Sequence, residues 1–489
     1  MSNTVLLLTL LAAYLLFLAG TAWRLSYNSK TNKTNTNSHY LFGSGFGFLL
    51  SFFGIAASLF STFTLEGMPA FFKNHGIASW VFLGITDVCL AALLLYFGLK
   101  MRHFARQLAI NNNKRRTAKN LTEWLKQSGL PKWVVIFFVA SVTVFMIPYI
   151  TIQIKGTAVM LQTAIPLGET HLLWSIMMVA LMMTYSWFGG IKAIFVTDMV
   201  QGLVLLVTVW AIAFFAISAS GGMGNLFAQV ATIEPALLSA PGPKGVLNWQ
   251  FLLIGFISIV LMPYVQPQLF TRVLVAKSDK AFARSTMALA VFAILVILPT
   301  LFIGLRSVLV AQNMPEGHFL LNLISSDAPM FFYALFIVGV LAAAMSTADS
   351  QLMAIGTEWS SAMTEQDIQK HPSAKVLVKS IGAVVALVAL ALAQTSFKSL
   401  ILFSINSFIG TSLLLPIVLA TAVRSQAHRW LLIISSVVAV AIFLPVVLGI
   451  LPKMIMGLRI ELILYAVQGC LLAWVWLSKK SSGETSYVV

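Results

Sequence analysis

SGFGFLLSFFGIAASLFSTFTLEGMPAFF (44–72) reads as a membrane span with a break in it. Its 29 residues hold one acid, Glu66, and no base, and a bilayer helix needs only about 20. Gly67-Met68-Pro69 interrupts the helix from within, because proline has no N–H to donate and glycine is a weak helix former. The freed backbone groups find no partner in lipid, so such a break belongs inside protein or beside a water-filled cavity. WQFLLIGFISIVLMPYVQP (249–267) repeats the device with Pro263 and Pro267, and Pro148 and Pro299 interrupt two further apolar runs. Interrupted helices at corresponding places in two halves of a chain mark the binding site of a secondary transporter.

The remaining sequence is of the same kind. Of 489 residues, 59% are hydrophobic and 9% charged, against roughly 25% charged in a soluble domain, which excludes an ordinary soluble enzyme. Thirteen apolar runs can span a bilayer, at about 4–23, 44–72, 76–99, 132–163, 171–188, 193–218, 249–267, 285–307, 329–362, 376–396, 399–423, 430–450 and 459–478. The opening MSNTV lacks a basic n-region, so the first run reads as a retained helix rather than a cleaved signal. Two five-helix halves fit 44–218 and 249–423. Around them lie an N-terminal helix and inner loop (1–43), an outer loop (219–248), and two C-terminal helices with a short inner tail (424–489). The expected fold is therefore an all-α integral membrane protein of about 13 transmembrane helices. Its core is a five-plus-five inverted repeat, with one extra helix before it and two after.

The net charge of +16 raises the question of nucleic acid, and the placement of the charges answers it. With the N-terminus outside, inner segments carry 24 of the 31 Lys and Arg residues, the asymmetry that sets topology. The run MRHFARQLAINNNKRRTAKN (101–120) is then an inner loop beside anionic lipid, not a nucleic-acid surface. The expectation is a multi-pass protein of the cell's inner membrane, N-terminus outside and C-terminus cytoplasmic. Cys89 and Cys470 lie in apolar runs and imply neither a disulfide framework nor a metal site. His75 beside Lys73 has no second ligand at metal-binding spacing.

In LAAAMSTADSQLMA (341–354), Ser346 and Thr347 stand about 100° apart on a helix, and the carbonyl of Ala343, one turn earlier, points toward their hydroxyls. Three oxygens can face one small hard cation, and an unwound partner helix can add carbonyls. Alternatively, both hydroxyls back-bond to their own helix. An acid inside a span is costly and needs a reason. Glu66, Asp87, Asp198 and Asp349 fall within spans, with Glu358 and Glu461 nearer the ends. Asp349 and Ser350, three and four residues past Ser346, share its face one turn on.

Four stretches resemble the sodium:solute symporter family. YSWFGGIKAIFVTDMVQG (185–202) is similar to its signature, with a double glycine and a TD-x-x-Q helix. QPQLFTRVLVAKSDKAFAR (266–284) resembles its inner loop, and the QP is similar to proline-transporting members. LAAAMSTADSQLMA resembles the eighth core helix with its A-x-x-S-[ST] sodium motif. SLFSTFTLEGMPAFFKNHG (58–76) resembles the first core helix, especially in relatives fused to histidine-sensing kinases.

The resemblance covers about 44–423 and implies sodium-coupled symport of a small organic solute, with Na⁺ as coupling ion and the lipid bilayer as surroundings. It places the sodium ligands on Ala57, Phe60, Ala343, Ser346 and Thr347, followed by Ser61. Members with a second sodium carry hydroxyls where Asp349 and Ser350 stand and an acid at Asp198. Asp349 departs from that pattern, so Asp198, Asp349 and Ser350 read as a second ion site, an exit path or a proton-titrating relay. Asp198 equally reads as a structural acid at a helix N-terminus.

Substrate candidates are Ser61, Thr64, Glu66, Gln153, Tyr264, Gln266 and Pro267. Thr64 stands where sugar-transporting members carry an amide, so an amino acid or carboxylate is favoured over a sugar. Lys155 either pairs with a substrate carboxylate or snorkels. A membrane sensor working with a separate signalling partner is the alternative function. No nucleophile elbow, zinc-binding His pair or paired catalytic carboxylates point to an enzyme.

Overall fold

The computed structural model describes residues 3–31, 45–112, 117–166, 168–310, 319–364, 373–395 and 400–481. The basic residues Lys33, Lys114, Arg115, Arg116, Lys370 and Lys398, used above for topology, lie outside them. The helices are α1 (Asn3–Thr31), α2 (Phe48–Leu59), α3 (Met68–His75), α4 (Thr86–Asn111), α5 (Leu121–Gln127), α6 (Lys132–Ala164), α7 (Leu172–Ala219), α8 (Met223–Ile233) and α9 (Trp249–Leu261). They continue as α10 (Pro267–Val275), α11 (Asp279–Val310), α12 (Phe319–Asp327), α13 (Met330–Met363), α14 (Ala374–Ala393), α15 (Leu400–Ser412), α16 (Leu415–Ala420), α17 (Gln426–Val447) and α18 (Ile460–Ser481). A two-residue antiparallel hairpin pairs Met454 with Arg459 before α18. Among the described residues nine helices are long and apolar enough to cross a membrane, and two bent pairs each pass as one broken span.

The second break falls at Pro263 and Pro267 as expected, whereas the first opens at Phe60, ahead of Gly67-Met68-Pro69, whose glycine and methionine keep helical backbone. After α2, Phe60 is extended (φ −97°, ψ 112°), a wide π turn spans Phe63–Gly67, and the axis bends by 54° into α3. After α9, a tight turn at Met262–Tyr264 and an extended Gln266 precede Pro267, which opens α10 at the position where its missing N–H costs nothing. That pair bends by 50°. Phe46 bridges to Ala276, and Lys277 N–H donates to the Phe46 carbonyl at 2.9 Å. The first broken helix thus begins beside the end of the second.

The predicted spans 171–188 and 193–218 appear as limbs of one helical element, α7. Its 48 residues would reach about 70 Å if straight, more than twice a bilayer core of about 30 Å. The chain turns back instead. His171 reaches the Ala393 carbonyl at the end of α14, Ile194 packs with Ala374 and Val378 at its start, and Phe215 returns to Phe332. The turn is at Gly190 (φ 65°, ψ −169°), a backbone state that a side chain disfavours. A Cβ on neighbouring Gly189 would come within 2.2 Å of Ala193 Cβ.

The stretch 101–120, expected as a loop, instead extends α4 to Asn111 and leads into the short helix α5. The buried carboxylate of Glu358, near the end of α13, accepts the N–H groups of Leu121 and Thr122 at 3.0 and 2.7 Å, satisfying donors that a helix start leaves open. Asn120 caps the same helix by accepting from Glu123 N–H at 2.7 Å. Lys126 donates to the Ser361 and Thr364 carbonyls, and Trp124 to Thr421 at 3.0 Å. Lys126, Arg102, Arg106 and Arg272 gather at this end of the bundle, while Lys155, bonded to the Thr395 carbonyl, and Arg459 with Glu461 lie at the other.

Candidate functional site

The break after α2 frees the Ala57 carbonyl, which faces the middle of α13. Ser346 Oγ donates to it at 3.1 Å and to Ala343 O at 3.0 Å. Thr347 Oγ1 donates to the same Ala57 carbonyl at 3.2 Å. Back-bonding alone does not describe this pair: Thr347 directs its proton across to the broken helix, and Ser346 does both. Four of the five expected cation ligands, Ala57, Ala343, Ser346 and Thr347, therefore meet at one point. Phe60 stands on the extended residue that starts the break, its ring packed on Phe292 at 5.6 Å.

One turn further along α13 lies a second polar cluster. Arg272, 2% exposed, closes α10 and points into the protein. It pairs with Asp198 Oδ2 at 2.7 Å, donates to Ser350 Oγ at 2.9 Å and to Ser58 Oγ, and lies over the Phe195 ring. Ser350 in turn donates to the Ser346 carbonyl at 2.8 Å, linking the two clusters. A cavity of about 20 Å³ adjoins Arg272, Ser350 and Glu358, room for about one water.

Asp198 and Ser350 thus share a guanidinium. Asp349 does not join them on the guanidinium: it is 1% exposed and lies beside Ser350. One turn before it, Met345 meets Tyr14 of α1, whose hydroxyl also accepts from Gln201 at 2.7 Å.

The substrate candidates on the first break come together, largely to hold the break itself. Gln153 Oε1 accepts from Thr62 N–H at 3.1 Å, Thr64 Oγ1 from Ser61 N–H at 3.1 Å, and Ser61 Oγ from Phe63 N–H at 3.1 Å while meeting Tyr149 Oη at the same distance. Glu66 is buried against Gly156 of α6, where an added Cβ would lie 2.6 Å from its Oε2; glycine admits the carboxyl there. On the second break, Gln266 donates to Thr411 at 3.3 Å and accepts from Gln268 at 2.7 Å, and Pro267 is buried at the start of α10. Tyr264 stands apart, edge-on to Phe97 of α4.

The sequence reading missed Ser58, Tyr149 and Thr411, and it used Arg272 only for topology and as the arginine of the inner-loop resemblance. One signal existed. A buried acid such as Asp198 needs a cation, and Arg272 follows the second break closely enough to enter the core.

A profile described as the sodium:solute symporter family matches residues 39–429. The chain belongs to that family. A sodium/pantothenate symporter of Haemophilus influenzae is 26% identical over 351 residues, 70% of this chain and 69% of that protein. A sodium/proline symporter of Staphylococcus aureus is 24% identical over 408 residues, covering 78% of this chain and 75% of that protein. A solved Na⁺-coupled sialic acid symporter, substrate-bound and outward-open, aligns with a TM-score of 0.71 at 18% identity, over 99% of this chain and 98% of that one, which shows a shared fold. As a sodium:solute symporter family member the protein is a multi-pass membrane transporter and not an enzyme.

Proposed function

We propose that this family member is a sodium-coupled secondary active symporter that imports a small organic solute by alternating access. The observation that carries this reading is the pair of hydroxyls, Ser346 and Thr347, converging on the Ala57 carbonyl of a broken helix. Na⁺ is held there by the Ala57, Phe60 and Ala343 carbonyls with Ser346 Oγ and Thr347 Oγ1. A cage of neutral oxygens suits a monovalent ion that must leave again.

Because its ligands come from α2 and α13, the ion ties the broken helix to its neighbour and orders the first break, where Ser61, Thr64, Glu66 and Gln153 form one wall of the solute site. Gln266 and Pro267 form the facing wall, with Tyr264 at its edge. Reciprocal coupling of this kind is typically about 1–3 kcal/mol. The membrane potential adds about 2.3 kcal/mol per charge per 100 mV in the uptake direction. Proline, pantothenate and sialic acid, named for the relatives, all bear a carboxylate, which favours an amino acid or carboxylate over a neutral sugar.

Inner release runs past Asp198, Ser350 and Arg272 toward the small cavity at Glu358. Asp349, three residues from Ser346, acts on the ion electrostatically. Asp349→Asn is therefore expected to weaken sodium dependence at neutral pH while leaving the shape of the pH profile between 5.5 and 8.5 unchanged. A pH dependence that the substitution abolishes would assign this residue a proton instead.

Counting α7 as two spans, each bent pair as one and the shorter apolar helix Ser404–Ala420 as another gives thirteen, with the N-terminus outside the inner membrane and the C-terminus in the cytoplasm. Asn111 and Asn225, both exposed, report the orientation. In a background without Cys89 and Cys470, Asn111→Cys is expected to react with an impermeant maleimide only from the cytoplasmic side, and Asn225→Cys only from outside; the reverse pattern inverts the topology.

The function is tested in proteoliposomes with an inward sodium gradient and labelled proline, pantothenate and short carboxylates. Gradient-dependent accumulation with counterflow is expected. Binding without counterflow would leave a sensor.

A further inference from the structure

Off the second break lies a cavity of about 170 Å³, between α4, α5, α9 and α16, in the size range that takes one benzene-sized apolar group. Phe97, Met101, Leu261 and Val418 belong to its apolar wall. Polar side chains also line it, Tyr264, Lys100 and Thr421 among them. Tyr264 is 6% exposed, and its hydroxyl has no hydrogen-bond partner among the described residues, an arrangement that is costly unless something accepts the proton. Lys100 places its ammonium 4.4 Å above the Tyr96 ring and 5.9 Å from the Phe97 ring. Phe97 in turn sits 6.0 Å from the Tyr264 ring, between ammonium and phenol. The third polar group, the Thr421 hydroxyl, is already engaged by Trp124.

We infer that this cavity is a binding site for one anionic phospholipid: an acyl segment fills the apolar wall, an ester carbonyl accepts from Tyr264 Oη, and the phosphate pairs with Lys100. The three features differ in chemistry, and a phospholipid presents all three in order along its length. The carboxylate-bearing solutes proposed above would face an apolar wall. The end of the bundle agrees in charge: Arg102 and Arg106 share the single carboxylate of Asp279, which leaves one positive charge in excess on the same helix as Lys100, and anionic lipid is drawn to basic membrane-edge segments. Tyr264 and Leu261 belong to the second broken helix, so an occupant braces that break against α4 and α16. Lipid composition then bears on the conformational cycle itself.

The test is native mass spectrometry of the full-length protein incubated with palmitoyl-oleoyl phosphatidylglycerol, the phosphatidylcholine of the same chains, or oleate. The wild type is expected to retain one phosphatidylglycerol at least fivefold over phosphatidylcholine. Lys100→Gln is expected to reduce that preference to near unity, and Tyr264→Phe to lower retention of both phospholipids. Val418→Phe, which fills the cavity, is expected to abolish retention; should it fail to fold, the first two substitutions carry the test. Equal retention of the two phospholipids by the wild type, wild-type retention in Lys100→Gln and Tyr264→Phe, or oleate held as well as phosphatidylglycerol would each overturn the assignment.

Discussion

Arg272→Gln is expected to lower the melting temperature in detergent sharply and to remove most uptake. The substitution leaves the Asp198 carboxyl in the protein interior without its 2.7 Å partner, and breaking a buried pair from one side costs about 3–5 kcal/mol. It also withdraws a donor from Ser350 and one from Ser58, loosening α2 and α13 from α10 together. Asp198→Asn alone should be nearly as harmful, because it buries the guanidinium without a countercharge. The double substitution should recover part of the stability, since a neutral pair leaves no uncompensated charge. Fluorescence-detected size-exclusion melting of the three variants checks this, and a wild-type melting temperature in Arg272→Gln would show that the pair does not hold the fold.

Ser346→Ala and Thr347→Ala are expected to raise the sodium concentration for half-maximal uptake at least several-fold while leaving expression intact. Each removes a hydroxyl from the meeting point on Ala57, and an unmade polar contact at a buried site costs roughly 1–3 kcal/mol. Thr347→Ser restores the oxygen and should restore most of the affinity. Sodium titration of initial uptake rates is the measurement; unchanged titrations in both alanine variants would move the ion elsewhere. Arg272→Gln acts on stability as well as rate, whereas these two should act on sodium dependence with little change in melting temperature, so the two clusters are separable.

Much of this was legible in the sequence. Hydropathy located the spans, and proline located the second break, because those effects act through the local backbone; the first break opens at Phe60, one to two turns before the Gly67-Met68-Pro69 that suggested it. The Ser346-Thr347 pair was readable because helix geometry sets the two hydroxyls about 100° apart with the Ala343 carbonyl one turn earlier, although the carbonyl both reach, that of Ala57, comes from another helix. Less legible was how polar side chains divide between holding the breaks and contacting a solute. Ser61, Thr64 and Gln153 looked like solute contacts, and in the fold they also accept from the N–H groups of Phe63, Ser61 and Thr62 and so satisfy the unwound backbone. Residues 101–120 looked like a solvated basic loop, yet Glu358 anchors a helix at its end.

By itself the sequence determined the membrane environment, the two interrupted helices and the oxygen-rich segment of α13. Each depends on residues close together in the chain and on a solvent, lipid, that tolerates few alternatives. Only the tertiary structure decided that Asp198 finds its cation in Arg272, 74 positions away. It alone placed Asp198 rather than Asp349 on that guanidinium and turned Tyr264 toward an apolar cavity. Buried polar groups must be paired, but which of many distant groups does the pairing is fixed by helix packing, and no local pattern in the chain encodes that choice.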